Sequence, residues 1–271
     1  LAAWRRIAGL SYNEVVDTNV PFSNSTSPVG GGDIRIGAST QGTSSGVLAY
    51  NFYPSAGGDM GINASRLTST GLLSSSNNYR YFRNVIAHEH GHGLGFGHPV
   101  PCTQTKLMEP FASTAFEMTQ IDEIRGAQVN YGDRFAGNNS VSTAKVFANL
   151  TSPILKPITE RNLSTNGQFG PNGTSQDWFK FTLGSTQNVV ITVAPTGGSY
   201  QNAPQSSGCN SNVSPIPTVN ASQAGNLNVE LKDATGATQL FVANTNAEGV
   251  NEVITANNLA AGTYSIRVWD S

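Results

Sequence analysis

The 271-residue sequence predicts an α+β fold in which a region of mixed helices and short strands is followed by an all-β sandwich. Two observations predict it. In the first half, several apolar residues recur at the spacing of a helix, whereas beyond Gly132 they alternate with polar residues in short runs. The change near residue 132 divides the chain into predicted domains 1–132 and 133–271.

Three stretches have helical spacing. AWRRIAGL places apolar residues about one turn apart, at Trp4, Ile7 and Leu10. NNYRYFRNVIAHEHGHGL predicts a second helix whose buried stripe contains Tyr81, Val85, Ile86 and Leu94. MTQIDEIRGAQVNYG predicts a third helix, and its last residue, Gly132, is expected to end it.

The predicted strands are short and bounded by turn residues. In the first domain they are GGDIRIGAS, GVLAYNFYP and GGDMGINAS. In the second they are DWFKFTL, NVVITVAP, LNVELKD and GTYSIRVWD, and turn signals such as DATGA between them indicate a β-sandwich. The polar stretch GGSYQNAPQSSGCNSNVSPIPTVNASQAGN predicts a long loop.

Composition excludes some functions. A net charge of −2 without a basic run gives no basis for nucleic-acid binding, and no apolar run is long enough to span a bilayer. Charged residues make up only 12% of the chain, replaced by Asn, Ser, Thr and Gly, which favours an extracellular protein. The chain begins without Met or a signal peptide, so we expect a processed or trimmed product. Cys102 and Cys209 permit one disulfide; a bridge and two unlinked thiols both remain open.

All four histidines lie within AHEHGHGLGFGHP, residues 87–99. Positions four apart share a helix face, so His88 and His92 can offer imidazole nitrogens to one ion. His90 lies about 200° round the helix from His88, and we expect it to be packed or solvent-facing, away from the ion. The helix must then end so that His98 can approach from another side, and we expect Gly95 to make that turn with a left-handed backbone. Gly91 and Gly93 weaken the helix locally.

Three neutral imidazoles and one open position predict a catalytic zinc site, because structural sites are closed by a fourth protein ligand. Zinc lowers the pKa of bound water from about 15.7 to about 7. Glu89, next to the first ligand, is placed to take a proton from that water as it attacks a carbonyl, and to pass the proton to the leaving amine. A chance match and a structural zinc site are disfavoured because five positions fit HExxHxxGxxH together.

HEHGHGLGFGH and KLMEP resemble the zinc signature and Met-turn of the metzincin metallopeptidases, and of their matrixin branch in particular, over residues 2–132. The resemblance implies a twisted sheet with helices, and it implies that Met108 forms an apolar floor beneath the zinc histidines. Asp122 is expected to brace that turn. The implied substrate-binding residues are Leu48 and Ala49 on an upper-rim strand, and a specificity-pocket wall of Pro110, Phe111 and Ala112.

The sequence departs from the matrixin pattern at a second, structural zinc site. Tyr50 and Gly61 stand where two of its histidines are expected, so we predict one zinc ion. The loop that often holds calcium is shortened, which leaves calcium open, with Asp59 and Asn63 as candidates.

Residues 133–271 contain the stretches DWFKFTL, LNVELKDATGATQLF and AGTYSIRVWD. These stretches make the region similar to the bacterial pre-peptidase C-terminal domain, a β-sandwich of secreted peptidases. Such a domain binds substrate, surface or matrix, assists secretion, or is removed on maturation. We expect Trp178 and Trp269 to belong to the sandwich core rather than to a binding surface.

The sequence thus predicts a secreted bacterial zinc endopeptidase acting on protein or peptide substrates. Two alternatives stay open: a non-catalytic binding protein that works through its β-sandwich, and a zinc amidase acting on a non-protein amide. The intact Glu89 argues against the first, and the predicted substrate-binding strand argues against the second.

Overall fold

The computed structural model describes residues 1–16, 18, 32–40, 46–99, 102–132, 137–147, 176–201, 205–206, 216–223 and 225–270. The chain divides into two compact units. The first comprises Leu1–Arg6, Ser11–Glu123 and Gln201–Pro217, and the second comprises Ile7–Leu10, Ile124–Tyr200 and Thr218–Ser271. Residues 201–217 therefore group with the first unit, although the sequence prediction places them in the second domain.

The described residues contain three α-helices, which are α1 (Ala2–Ile7), α2 (Arg80–Gly93) and α3 (Ile121–Tyr131). Their strands are β1 (Ile36–Ser39), β2 (Ala49–Asn51), β3 (Met60–Asn63), β4 (His98–Pro99), β5 (Lys145–Val146), β6 (Gln176–Leu183), β7 (Gln187–Val193), β8 (Ser199–Gln201), β9 (Gln205–Ser206), β10 (Thr218–Asn220), β11 (Leu227–Asp233), β12 (Gln239–Ala243), β13 (Glu252–Leu259) and β14 (Gly262–Asp270).

The first unit contains a three-stranded sheet in the order β1-β3-β2. β1 is parallel to β3, and β2 is antiparallel to it, with Ala49 opposite Ile62. All four residues of the central strand β3 are buried. Its apolar residues Met60 and Ile62 pack in one cluster with Ala49, Leu72 and Val85, the last of which comes from α2. The three strands predicted in this region are confirmed.

The helix that carries the histidines begins later than predicted. Asn78 and Tyr79 have φ values of 52° and 58°, a left-handed backbone that a helix cannot include, so α2 begins at Arg80. Val85 and Leu94 of the predicted stripe are buried, while Tyr81 and Ile86 are half-buried. The indole Nε1 of Trp4 donates a hydrogen bond to the carbonyl of Ala87, at 3.0 Å, and so joins α1 to α2.

The closing helix α3 is shorter than its apolar pattern suggests. Met118 has a φ of 59°, so the helix begins after it, at Ile121. Gly132 has a φ of 69° and follows the last helical residue, as predicted.

The second unit is a β-sandwich-like region. A five-stranded sheet has the order β12-β11-β14-β6-β5, and β13 pairs with β7 in a second sheet. Both sheets contribute to one apolar core: Phe181, Leu231 and Ile266 come from the larger sheet, and Ile254 and Ala256 come from β13. The predicted sandwich architecture is confirmed at this level.

The alternation of apolar and polar residues along β11 suggests one buried and one exposed face, but the structure differs. Asn228 and Glu230 are 2% and 8% exposed, so both faces of the strand are buried. The carboxylate of Glu230 lies 3.4 Å from Lys232 Nζ and 3.4 Å from Arg267 Nη1. These partners allow a charged residue to occupy a buried position.

The two tryptophans of the second domain are buried to different extents. Trp178 is buried, as expected, with a backbone hydrogen bond of 2.8 Å to the carbonyl of Asn138. Trp269 is half-buried, and the guanidinium of Arg267 lies 4.7 Å from its ring centroid.

The described residues of the predicted long loop contain three short strands, β8, β9 and β10. β8 pairs with β10, and β9 pairs with β4. The loop prediction is wrong at these points because strand pairing uses backbone groups and does not require apolar side chains.

Candidate metal centre

Two histidines of α2 lie on the same face of the helix, as their spacing predicts. The ring centroids of His88 and His92 are 4.8 Å apart. The Nδ1 atom of His88 is 2.7 Å from the carbonyl oxygen of Leu107, and that of His92 is 2.7 Å from the carbonyl oxygen of Phe96. A carbonyl only accepts hydrogen bonds, so each Nδ1 carries the proton and each Nε2 presents a lone pair.

The third histidine reaches the same point from beyond the end of the helix. Gly95 has a φ of 90°, the left-handed conformation predicted for it, and the chain turns there. The Nε2 atom of His98 then lies 3.2 Å from that of His88 and 3.1 Å from that of His92. These three histidines form the metal-compatible group found in the described part of the chain, with ligand atoms within 4.8 Å of one another.

The donor set fits a cation such as zinc. In their neutral forms, His88 and His92 carry no proton on Nε2, so each offers a lone pair to a cation, and the Nε2 atom of His98 lies within 3.2 Å of both. Burial lowers the pKa of His88 to about 3 and lowers the pKa values of His92 and His98. All three imidazoles are therefore neutral near pH 7, the form that binds a metal ion.

Glu89 follows His88 on α2, and it is buried. Glu89 is 8% exposed, and the desolvation that accompanies this burial raises the pKa of its carboxyl group to about 7. A carboxyl group with a pKa near neutrality can both accept and return a proton at that pH. A nearby cation would lower this pKa, because it favours the carboxylate.

His90 is packed away from the centre. It is fully buried, and its Nε2 lies 2.7 Å from the hydroxyl of Tyr12. Its ring meets those of Trp4 and Tyr12 edge-on. This environment matches the packed alternative predicted for His90.

Met108 lies directly beneath α2, and Gly91 makes room for it. A Cβ atom at position 91 would lie 2.3 Å from the sulfur of Met108, which is 2% exposed. Gly93 has a similar role, since a Cβ there would lie 2.7 Å from Nδ2 of Asn51. The two glycines therefore permit close packing, a reason that the sequence interpretation missed.

The turn around Met108 is held by Glu123 as well as by Asp122, the residue that the sequence analysis favoured. The carboxylate of Glu123 accepts hydrogen bonds from the backbone N–H of Met108, at 3.0 Å, and of Gln120, at 2.8 Å. Asp122 forms an ion pair with Lys106, the first residue of KLMEP, at 3.4 Å. Glu123 reaches the turn because α3 begins at Ile121, which points the side chain of its third residue back towards the turn.

The predicted substrate-binding residues occupy two short stretches of the first unit. Ala49 is part of one apolar cluster, and Leu48 and Ala112 pack against it. Pro110 is half-buried, and Phe111 is 58% exposed. Sequence reasoning missed Tyr53, whose ring is 5.7 Å from that of His92; no motif marks this position.

The two calcium candidates have protein partners. The carboxylate of Asp59 pairs with Arg35, at 2.6 Å. The side chain of Asn63 caps a 3-10 turn by accepting from the N–H of Ser65, at 3.1 Å, and donates to the carbonyl of Val47, at 2.9 Å.

At the positions considered for a second zinc site, the ring of Tyr50 lies across Gly61, where a Cβ would be 2.4 Å away. Cys102 is disulfide-bonded, and Cys209, the other cysteine of the sequence, lies outside the described residues.

Comparison with known families concerns the second unit. The model of the bacterial pre-peptidase C-terminal domain matches residues 175–269. The chain carries a pre-peptidase C-terminal domain. The match runs from β6 to Trp269 in β14 and so includes the strands of the sandwich-like region, together with residues 201–217, which group with the first unit. No curated protein matches the chain. None of the helices in the described part of the chain is long and apolar enough to cross a membrane.

Proposed function

We propose that this chain is a secreted, zinc-dependent endopeptidase of the metzincin type, similar to the matrixins, that hydrolyses peptide bonds in extended protein substrates. One observation carries the proposal: the Nε2 atoms of His88 and His92 lie within 3.2 Å of that of His98, and Glu89, the residue that follows His88 on α2, is buried. Three imidazoles leave one position of a tetrahedral ion open for chemistry.

In this proposal His88, His92 and His98 hold the metal ion. When bound, zinc would supply Lewis acidity that polarises the scissile carbonyl and acidifies water. Glu89 accepts the proton of the attacking water as general base. It then donates that proton to the leaving amine as general acid.

An extended substrate is favoured by the position of β2. This strand is at one edge of the described three-stranded sheet, in the order β1-β3-β2. A peptide can add to such an edge through backbone hydrogen bonds. Leu48 and Ala49 lie at this edge, and Ala112 packs against the same apolar cluster. This arrangement supports a site in which one peptide pairs with the edge strand and contacts the pocket wall that contains Ala112.

The pre-peptidase C-terminal domain supports secretion from a bacterium, because this family occurs on secreted peptidases. It also favours surface or matrix binding as an accessory role of residues 175–269.

The test is cleavage of a denatured protein by the zinc-loaded full chain, with and without a chelator, beside Glu89→Gln. Glu248→Gln, the same change at an exposed position, is the matched control. We expect chelator-sensitive cleavage that falls at least about 100-fold in Glu89→Gln, with zinc still bound, and that is unchanged in Glu248→Gln.

Full activity of Glu89→Gln would refute the mechanism. Turnover of small non-peptide amides without protein cleavage would favour the amidase alternative. Zinc binding with no turnover of either substrate class would favour a binding protein.

A further inference from the structure

The three histidines of the metal centre are held in different ways. His88 and His92 are on one helix, and a backbone carbonyl orients each ring through Nδ1. His98 follows the Gly95 turn and lies in β4, a strand of only two residues. The position of the third ligand therefore depends on what holds β4.

β4 pairs with β9, so that His98 is opposite Ser206 and Pro99 is opposite Gln205. In an antiparallel pair, hydrogen-bonded and non-hydrogen-bonded positions alternate. Pro99 has no N–H, so the hydrogen-bonded position is the one that joins His98 to Ser206. The backbone of the third histidine is thus held directly by β9.

β9 belongs to residues 201–217, a segment of the first unit that lies far along the chain from the histidines. A second contact holds the start of this segment, since Nζ of Lys106 donates a hydrogen bond to the carbonyl of Gln201. Lys106 is 3% exposed and is two residues before Met108. The segment is therefore attached beside the metal centre at both His98 and the turn beneath α2.

We infer that β9 is a positioning element of the metal centre, and that it holds His98 with its Nε2 facing the other two ligands. The inference rests on the proposed function, because it assumes that the three histidines bind zinc. It assigns part of the sequence predicted as the C-terminal domain to the metal site. Loss of a group that orients a metal ligand commonly lowers metal affinity about 10- to 100-fold.

The test measures the zinc dissociation constant of the full chain by competition with a chelator of known affinity. Ser206→Pro removes the N–H that pairs with His98. Gln205→Pro is the matched control, because the N–H of Gln205 is at a non-hydrogen-bonded position and points away from β4. Ser206→Ala controls for the side chain.

We expect Ser206→Pro to bind zinc about 10- to 100-fold more weakly, with Gln205→Pro and Ser206→Ala close to the unmodified protein. Its cleavage activity should recover as free zinc is raised, which a globally unfolded protein would not show. Equal zinc affinity in Ser206→Pro and Gln205→Pro would overturn the inference.

If the unmodified chain binds no zinc, both the proposed function and this inference fail. If the unmodified chain binds zinc and Ser206→Pro binds it equally well, only the inference fails, so the two failures are distinguishable. If Ser206→Pro does not fold, hydrogen exchange of the unmodified protein decides. We expect the amide of His98 to be protected by its bond to Ser206. Exchange at the rate of an unstructured peptide would contradict the inference.

Discussion

Replacing Gly91 by alanine tests the packing of Met108 against α2. The new Cβ would lie 2.3 Å from Sδ and 2.9 Å from Cε of Met108, and 3.2 Å from Cζ2 of Trp4. Normal contacts are about 3.5–4.0 Å, so the sulfur must withdraw by more than about 1 Å. Met108 is 2% exposed and Trp4 is fully buried, which leaves little room for that movement.

The expected magnitude combines two opposing effects. Overpacking a buried site costs about 1–3 kcal/mol, and replacing glycine by alanine within a helix gains about 1 kcal/mol. Gly91→Ala should therefore lower the free energy of unfolding by up to about 2 kcal/mol. With Met108→Ala already present, the clash with Met108 is gone, and the same change should raise the free energy of unfolding by up to about 1 kcal/mol.

The assay is urea unfolding of the four proteins in this double-mutant cycle, all measured without metal so that zinc binding does not contribute. Met108→Ala alone is expected to cost about 2–5 kcal/mol as a buried cavity. A gain of about 1 kcal/mol from Gly91→Ala in the presence of Met108 would refute the packing argument.

Three further predictions concern the same unit. Gly95→Ala should destabilise the protein by about 1–3 kcal/mol in thermal unfolding, because a φ of 90° is strained for a residue with a side chain, although no atom lies within 4 Å of the added Cβ. Gly46→Ala is the control and should be nearly neutral, because Gly46 is equally open and has no positive φ. Burial raises the pKa of Glu123 from 4.5 to about 7, so the folded state binds more protons between these values and the free energy of unfolding falls as pH rises through them. Glu123→Gln should remove that part of the slope, and an unchanged slope between about pH 5 and about pH 8 would contradict it. Removing zinc with a chelator should lower Tm, because the ion binds only the folded site; an identical Tm would contradict metal binding by folded protein.

The cluster of three histidines could be predicted from the sequence because the rules that bring these residues together are local. The separation of His88 and His92 by four residues fixes their common face once a helix is assumed. Gly95 could be assigned its left-handed backbone because few other residues adopt it. The sandwich could be predicted in the same way, since alternation along β11 and β14 marks the strands themselves.

Other features depend on contacts between distant segments. The pairing of β9 with β4 uses backbone groups and leaves no periodic pattern in a polar segment. The hydrogen bond of Glu123 to Met108 depends on where α3 begins, and the left-handed backbone of Met118 delays that start. The raised pKa of Glu89 results from burial, which its position next to His88 does not reveal.

The most direct test of the metal centre is X-ray absorption spectroscopy at the zinc edge on the full chain loaded with one equivalent of zinc. We expect three imidazole nitrogens at about 2.0–2.1 Å and one oxygen at about 2.0–2.2 Å, with the nitrogen number reduced in a His98→Ala variant. A closed shell of four protein ligands, a sulfur ligand, or a spectrum unchanged by His98→Ala would contradict a catalytic site built from His88, His92 and His98.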